Sequence, residues 1–341
     1  MRRRGVTVLL GALITMLLAY GVFAAPVPYV VLSPGPTVDT LGEQDGKEVI
    51  QITGAPTSDS AGQLRLTTVG VRTNVRLRDV ILSWFDTEEA VVPRELIYPP
   101  GQTREQVEQR NAEDFAASQS SAETAALREL GYPVRVTVQA VTPGGPAEGI
   151  LQPDDVITSI DGEPVTGTAM LIERIRAKPA GTELTIGYTR GDRSATAKIT
   201  TAAKDGEPPR IGVDVRAEQP HPFDVTIEVE EIGGPSAGLM FALGIVDKLR
   251  PEDLTGGRII AGSGTIDDLG NVGPIGGIPQ KLRGAKAAGA TVFLVPEGNC
   301  AEAVRNAVDG IQLVKVNSLR EALDALRTLR EGGQPPLCSA N

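Results

Sequence analysis

The first pattern in the chain is an uncharged apolar run, Val6–Ala25, set behind Arg2, Arg3 and Arg4. A helix needs about 20 apolar residues to cross the hydrocarbon layer, and this run meets that length. Arginines on the leading side predict an N-terminus in the cytoplasm and the remainder outside. The competing reading is a cleaved signal peptide, whose apolar segment is usually about 7–15 residues. The length favours an uncleaved anchor, and either reading exports the rest of the chain. Pro26, Pro28, Pro34 and Pro36 then predict a stiff, extended lead-out. Val49–Ile52 and Leu64–Val69 alternate as strands. From about Thr103 to Leu130 the pattern is helical. Ser120 and Glu123 fit a capping box for its second half, and Ala122, Ala125, Ala126 and Leu130 form an apolar face. Gly131 suits the position just past the helix end.

The texture changes between Pro133 and Ala203. Val134–Val138 alternates as a strand, and the turn Pro143-Gly144-Gly145-Pro146-Ala147 leads to Leu151–Ile157. Asp161-Gly162 marks a hairpin-like turn. A short helix near 169–177 and two further strands come next. From Ile211 onward strands and helices alternate: strand Val225–Val229, helix Ser236–Leu249, strand Arg258–Ala261, helix Gln280–Ala288. Strand Thr291–Val295, helix Ala301–Val308, strand Gln312–Val316 and helix Leu319–Leu329 complete the run. Ser318 and Glu321 form a capping box for the last helix. Such alternation predicts an α/β layer.

Composition narrows the chemistry. The formal net charge is −10 with no basic patch beyond the first residues, which argues against nucleic acid. The single histidine, His221, lies between Pro220 and Pro222 and reads as a loop residue, so a mechanism built on several histidines is excluded. Cys300 and Cys338 fit no zinc or CxxC spacing. They either pair, if the domain lies outside the cytoplasm, or serve as a small buried residue and a tail residue. No GxxxxGK[ST] segment is present, so no Walker-type ATP site is visible.

Two segments carry candidate chemistry. Gly233-Gly234-Pro235-Ser236-Ala237-Gly238 leads into a helix with Leu239, Leu243, Val246 and Leu249 on one buried face. Ser236 then sits at the positive helix end among free backbone N–H groups, which can stabilise an alkoxide and an oxyanion. Gly234, Ala237 and Gly238 let a substrate backbone approach. The plainer reading is a Ser at a helix start. In the second segment, Ile275-Gly276-Gly277-Ile278-Pro279 precedes Lys281, which shares a helix stripe with Gly284, Ala285 and Ala288. Arg283 and Lys286 point elsewhere. Burial lowers an amine's pKa and makes it a base, and a Ser–Lys pair needs no histidine. The plainer reading is a lysine stem covering alanines with its head in water.

Gly234–Gly238 and Gly276–Lys281, with Ser236 and Lys281 45 positions apart, resemble the two signature segments of Lon-type serine proteases. The resemblance covers roughly Ile211–Leu329. It implies that Ser236 is the nucleophile, Lys281 the general base, and Ser263 the counterpart of a family threonine that helps hold the lysine. Gly234 and Ala237 would support the oxyanion. Gly233 departs from an acidic residue often found there, and Pro279 from a lysine. Residues 132–204 resemble a PDZ domain, most specifically over Val141–Val165. That implies a peptide-binding strand edge, with Gly131, Tyr132, Pro133 and Val134 as the loop for a terminal carboxylate, or else a module that only packs.

The expected fold is therefore multidomain, α+β with α/β. It has a cytoplasmic N-terminus (1–5), a transmembrane anchor (6–25), and a segment at 26–131 that resembles the start of the proteolytic domain. A PDZ-like β-rich domain (132–204), a Lon-type α/β proteolytic domain (205–330) and a tail (331–341) complete the chain. On this reading the PDZ-like module is an insertion in one catalytic domain. The expected function is an ATP-independent serine endopeptidase of flexible or unfolded extracytoplasmic proteins, single-pass in the cell membrane. No cofactor or metal is implied. Partners are protein or peptide substrates and the membrane, with homo-oligomerisation left open. The alternatives are a PDZ adaptor with an inactive protease fold, and a peptidase that cuts only itself.

Overall fold

The computed structural model describes residues 2–203, 207–229 and 232–339, with only the backbone for 2–6. The side chains of the expected cytoplasmic segment 1–5, the expected boundary between 204 and 205, and Glu230 lie outside that description. The chain divides into two compact units, Met1–Ala125 with Val225–Asn341, and Ala126–Asp224.

Helix α1 is Arg2–Phe23. Its described apolar side chains, Leu9, Leu13 and Leu17 among them, are exposed. Among the described residues no helix is long and apolar enough to cross a membrane, so the fold does not by itself support the anchor expected over 6–25.

The proline-rich segment is not a lead-out. It is β1 (Tyr29–Asp39), and it is followed by β2 (Ile50–Thr53), β3 (Gln63–Arg72), α2 (Leu77–Trp84), β4 (Ala90–Pro93) and α3 (Arg104–Glu129). β1 pairs antiparallel with both β3 and β4. Its prolines fit because the ladder to β3 is interrupted between Pro34 and Thr37, and a bulge is where a strand tolerates missing N–H donors. The capping box expected at Ser120 does not start a helix, since α3 runs unbroken through it. The capping box lies at its true start: Thr103 Oγ1 accepts from Gln106 N–H (3.2 Å) and Gln106 Oε1 from Thr103 N–H (2.8 Å).

The second unit holds β5 (Arg135–Val141), β6 (Val156–Ile160), α4 (Thr168–Arg176), β7 (Glu183–Arg190), β8 (Arg193–Thr200) and β9 (Val213–Glu218). The strands form one antiparallel sheet in the order β8-β7-β6-β5-β9. Its core gathers Val136, Val138, Ile157, Leu184 and Ile186 from the sheet with Leu171 and Ile175 from α4.

The first unit resumes with β10 (Asp224–Ile227), α5 (Gly238–Leu249), β11 (Ile259–Gly262), α6 (Ile278–Ala287), β12 (Val292–Pro296), α7 (Cys300–Arg305), β13 (Gln312–Val316) and α8 (Leu319–Arg330). One six-stranded sheet, in the order β13-β12-β11-β3-β1-β4, takes strands from both sides of residues 126–224. β3 lies parallel to β11 although Gly262 pairs with Leu66, far away in sequence. β12 is buried at all five positions, and its Val-Phe-Leu-Val run is the expected reading of a parallel strand covered on both faces. The spacing in α5 predicts one buried face. Instead every residue from Gly238 to Lys248 is buried, because the helix packs against β3 and α8 and its Phe241 meets Phe115 of α3 edge-on at 5.8 Å.

Cys300 and Cys338 form a disulfide, with Cα atoms 5.0 Å apart. Residues 336–338 are therefore no loose tail: Lys315 N–H donates to Pro336 O (2.9 Å) and Cys338 N–H to Leu313 O (3.0 Å), alongside β13. The bridge closes a separation of 38 residues, worth roughly 4 kcal/mol in the chain-entropy account. Reductant is expected to lower the denaturant midpoint of the wild type and to leave a Cys300→Ser, Cys338→Ser variant unmoved. Equal midpoints for the oxidised and reduced wild type would show that the pair does not form.

Candidate active site

Ser236 stands where a loop turns into a helix. Gly234 has φ +84, a region that L side chains rarely adopt, and its N–H donates to Asn111 O at 2.8 Å. Pro235–Ala237 then make one 3-10 turn running straight into α5. Pro235 fits there because a first-turn N–H would have no helical acceptor. Ser118 Oγ donates to Pro235 O (3.0 Å), so α3 clamps the turn. A Cβ on Gly238 would fall 2.7 Å from Ile266 Cγ2 and 2.8 Å from Ser118 Oγ, so glycine is what allows α3 and the 265–266 strand to close on the serine.

Lys281 arrives from the other side. Gly277, with φ +72, starts α6, and Lys281 N–H donates to Gly277 O at 3.0 Å. α6 packs on β1 and β3, and Gly284 comes within contact of the Gly35 carbonyl at the β1 bulge. The expected stripe is buried at Gly284 and Ala285, while Lys286 is exposed. Asn299 fixes the preceding loop, its side chain bonding both the N–H and the carbonyl of Ile275 at 2.8 Å.

The two segments meet. Lys281 Nζ lies 2.9 Å from Ser236 Oγ and 2.7 Å from Ser263 Oγ. Ser263, fully buried at the end of β11, donates its hydroxyl proton to Ser236 O at 2.8 Å. Gly264 N–H donates to the same carbonyl at 2.9 Å. With its proton committed there, Ser263 accepts from Lys281. A neutral amine that donates one N–H to Ser263 can turn its lone pair toward the Ser236 hydroxyl. Lys281 is 3% exposed, and burial pulls its pKa down from 10.5 to about 8. A fraction of the amine is thus neutral near pH 7, which a solvated lysine would not supply.

Of the residues expected at the site, Ser236, Lys281 and Ser263 come together. Gly234 shapes the turn, but its N–H is taken by Asn111, so it is no oxyanion donor. Ala237 remains in the first turn, where N–H groups lack helical acceptors. The dyad opens onto a cleft of about 1230 Å³ whose lining includes Val69, Ile97, Val107, Ile232 and Ile275. Asn111, Ser118 and Asn299 escape a reading of the sequence. Asn111 and Ser118 approach from α3, more than a hundred positions upstream, and nothing local marks them.

Ser263→Ala is expected to lower kcat by about one to two orders of magnitude, as the loss of one buried hydrogen bond of about 1–3 kcal/mol implies. KM should hold, and the pH midpoint should fall because the ammonium loses an acceptor. An unchanged pH profile would make Ser263 merely structural.

The expected carboxylate loop, Gly131–Val134, needs correction. Gly131 (φ +91) and Tyr132 close the end of α3, with Gly131 N–H on Arg128 O and Tyr132 N–H on Leu127 O. The strand they lead into, β5, is paired on both sides, by β6 and β9, so it has no edge for an added strand. Among the described residues the edge strand beside α4 is β9. The loop leading into it ends at Gly212 (φ +76), held by Thr142 N–H on Gly212 O and Ala147 N–H on Ile211 O. His221 belongs to this unit, against Tyr132 and Phe223.

The comparisons agree with this geometry. Residues 106–201 match the PDZ domain model, and residues 157–328, half of the chain, match the Lon protease (S16) C-terminal proteolytic domain. The matches overlap at 157–201, which the structure places in the second unit. Lon protease 2 of Bacillus subtilis is 34% identical over 113 residues, covering 32% of this chain and 20% of that protein. Lon protease 2 of Herpetosiphon aurantiacus is 30% identical over 164 residues, covering 46% and 20%. The chain thus spans about a fifth of the length of these curated relatives. Among solved structures, the PDZ domain of the SdrC-like protein from Listeria monocytogenes is 32% identical, covering 24% of this chain and 85% of that one with a TM-score of 0.23. With the serine and lysine in contact on a matching sequence, the chain belongs to the Lon protease (S16) C-terminal proteolytic domain family and is a serine peptidase.

Proposed function

We propose that the protein is an ATP-independent endopeptidase that cuts flexible or unfolded proteins outside the cytoplasm, held at the membrane by α1. The observation that carries the reading is the 2.9 Å contact between a buried Lys281 Nζ and Ser236 Oγ. The neutral amine takes the hydroxyl proton as Oγ bonds to the scissile carbonyl carbon. The oxyanion forms beside the N–H groups of the first turn at Ser236 and Ala237. The lysine ammonium then gives its proton to the departing amine, leaving an acyl-serine. A water, deprotonated by the same amine, releases the acid and restores Oγ–H.

Two features support the finer points. A disulfide at Cys300–Cys338 fits an oxidising compartment. The sequence holds no GxxxxGK[ST] segment, in keeping with hydrolysis that needs no nucleotide. The edge of β9 beside α4, in place of Gly131–Val134, is the better seat for an extended peptide. The purified chain should hydrolyse unstructured casein equally with ATP and with ATP enzymatically removed, and should spare a tightly folded protein. Dependence on ATP would overturn the nucleotide-free reading. No hydrolysis under any condition would favour an inactive PDZ adaptor.

A further inference from the structure

An aromatic patch stands next to the base of α1. The inner face of α2 is anchored by Val80, which packs with Val31 and Val75. Its outer end carries Leu82, Trp84 and Phe85, which are 70%, 79% and 86% exposed. Trp84 is the only tryptophan of the chain, and an isolated soluble fold gains nothing by leaving three such neighbours in water. The patch is held close to α1: Leu77 N–H donates to Ala25 O (3.1 Å), Val27 N–H to Val75 O (3.3 Å), and α2 packs against α1. The last turns of α1 add exposed Tyr20 and Phe23.

We infer that Leu82, Trp84 and Phe85 lie in the interface of a lipid bilayer and form a second membrane contact beside α1. This rests on the proposed anchoring by α1. Tryptophan and other aromatic rings favour the headgroup level, where one side is apolar and the other wet. Four of the nearby charges form two local pairs, Arg72 with Glu89 and Arg78 with Asp79. Acidic Asp86 and Glu88 also flank the patch, so apolar burial drives the contact, with no demand for anionic lipid. A bilayer occupant is favoured over a second protein copy because α2 starts against the end of α1, whose apolar side chains are themselves exposed.

The full chain, purified in detergent and reconstituted into phosphatidylcholine liposomes, provides the test, because its tryptophan emission comes from Trp84 alone. The expected result is co-flotation with the liposomes, emission at shorter wavelength than in buffer, and strong quenching by lipids brominated near the headgroup end of the chain. Quenching should be weaker with bromines near the chain end. A Leu82→Ser, Phe85→Ser variant should still float but lose most of the quenching. Flotation without any quenching of Trp84 would overturn the patch while leaving the anchor standing. Failure to float would overturn both. A blue shift in detergent that grows with protein concentration would assign the patch to a second copy and overturn the proposal.

Discussion

Ser236→Ala is expected to reduce peptide hydrolysis by roughly a millionfold, to the level that binding and oxyanion stabilisation alone sustain. The substitution removes only the hydroxyl. Pro235 O keeps its bond from Ser118, and Ser236 O keeps those from Ser263 and Gly264, so the turn should survive. Circular dichroism and the unfolding midpoint are therefore expected to match wild type while casein stays intact. Cleavage at the wild-type rate would remove Ser236 from the mechanism. A loss of activity together with a large fall in stability would leave its chemical role unproven, and Ser236→Cys would then separate the two.

Lys281→Met should cut turnover by about 10²–10⁴, the usual contribution of a general base, and at the same time make the protein more stable. The sign comes from the lysine's own titration. Its pKa is about 8 in the fold against 10.5 when solvated. Below pH 8 the folded chain holds a buried ammonium. Between about 8 and 10.5 the unfolded chain binds more protons, so stability rises with pH across that window. Near pH 7 the buried charge costs about 3 kcal/mol, from the displacement of the pKa. Methionine has similar length and no charge. Losing the amine's hydrogen bonds to Ser236 Oγ and Ser263 Oγ takes back about 1 kcal/mol each. A net gain of about 1 kcal/mol remains, or about 2–4 °C in Tm for a chain of this size. The gain should shrink as the pH approaches 10.5. A Tm that falls on substitution at pH 7 would mean the amine is not strained by burial.

The dyad was legible because its two segments are local. Gly-Pro-Ser before an apolar helix and Gly-Gly-Ile-Pro before a lysine on a small-residue stripe each carry their meaning within a few residues. The α/β half from β11 onward is legible for the same reason, since β12 is a continuous apolar run and α6 and α8 keep their helical period. The misread elements all depend on distant partners. β1 looked like a lead-out because Pro34 and Pro36 argue against a strand, and only the bulge opposite β3 makes room for them. Ser120 offered a capping box as good as that of Thr103, but the chain on its N-terminal side is already helical and satisfies its N–H. α5 shows one apolar stripe by spacing, yet small Gly244 and Ala242 let neighbours close on its other faces. Sequence alone does not show that β5, which follows the Gly131–Val134 loop, is paired on both sides. Its second partner, β9, arrives more than seventy positions later.

Turnover as a function of pH carries the same information as the lysine. kcat/KM is expected to rise through about pH 8 and level off above it, because only the neutral amine can accept the serine proton. A pH profile can be shaped by other groups, and the amine itself can be followed directly. The Lys281 side chain, labelled with ¹³C at Cε and assigned by its absence in Lys281→Met, should titrate by NMR with a midpoint of about 8. A midpoint at or above 10.5, the ordinary lysine value, would mean that the amine stays protonated at neutral pH and cannot be the base for Ser236.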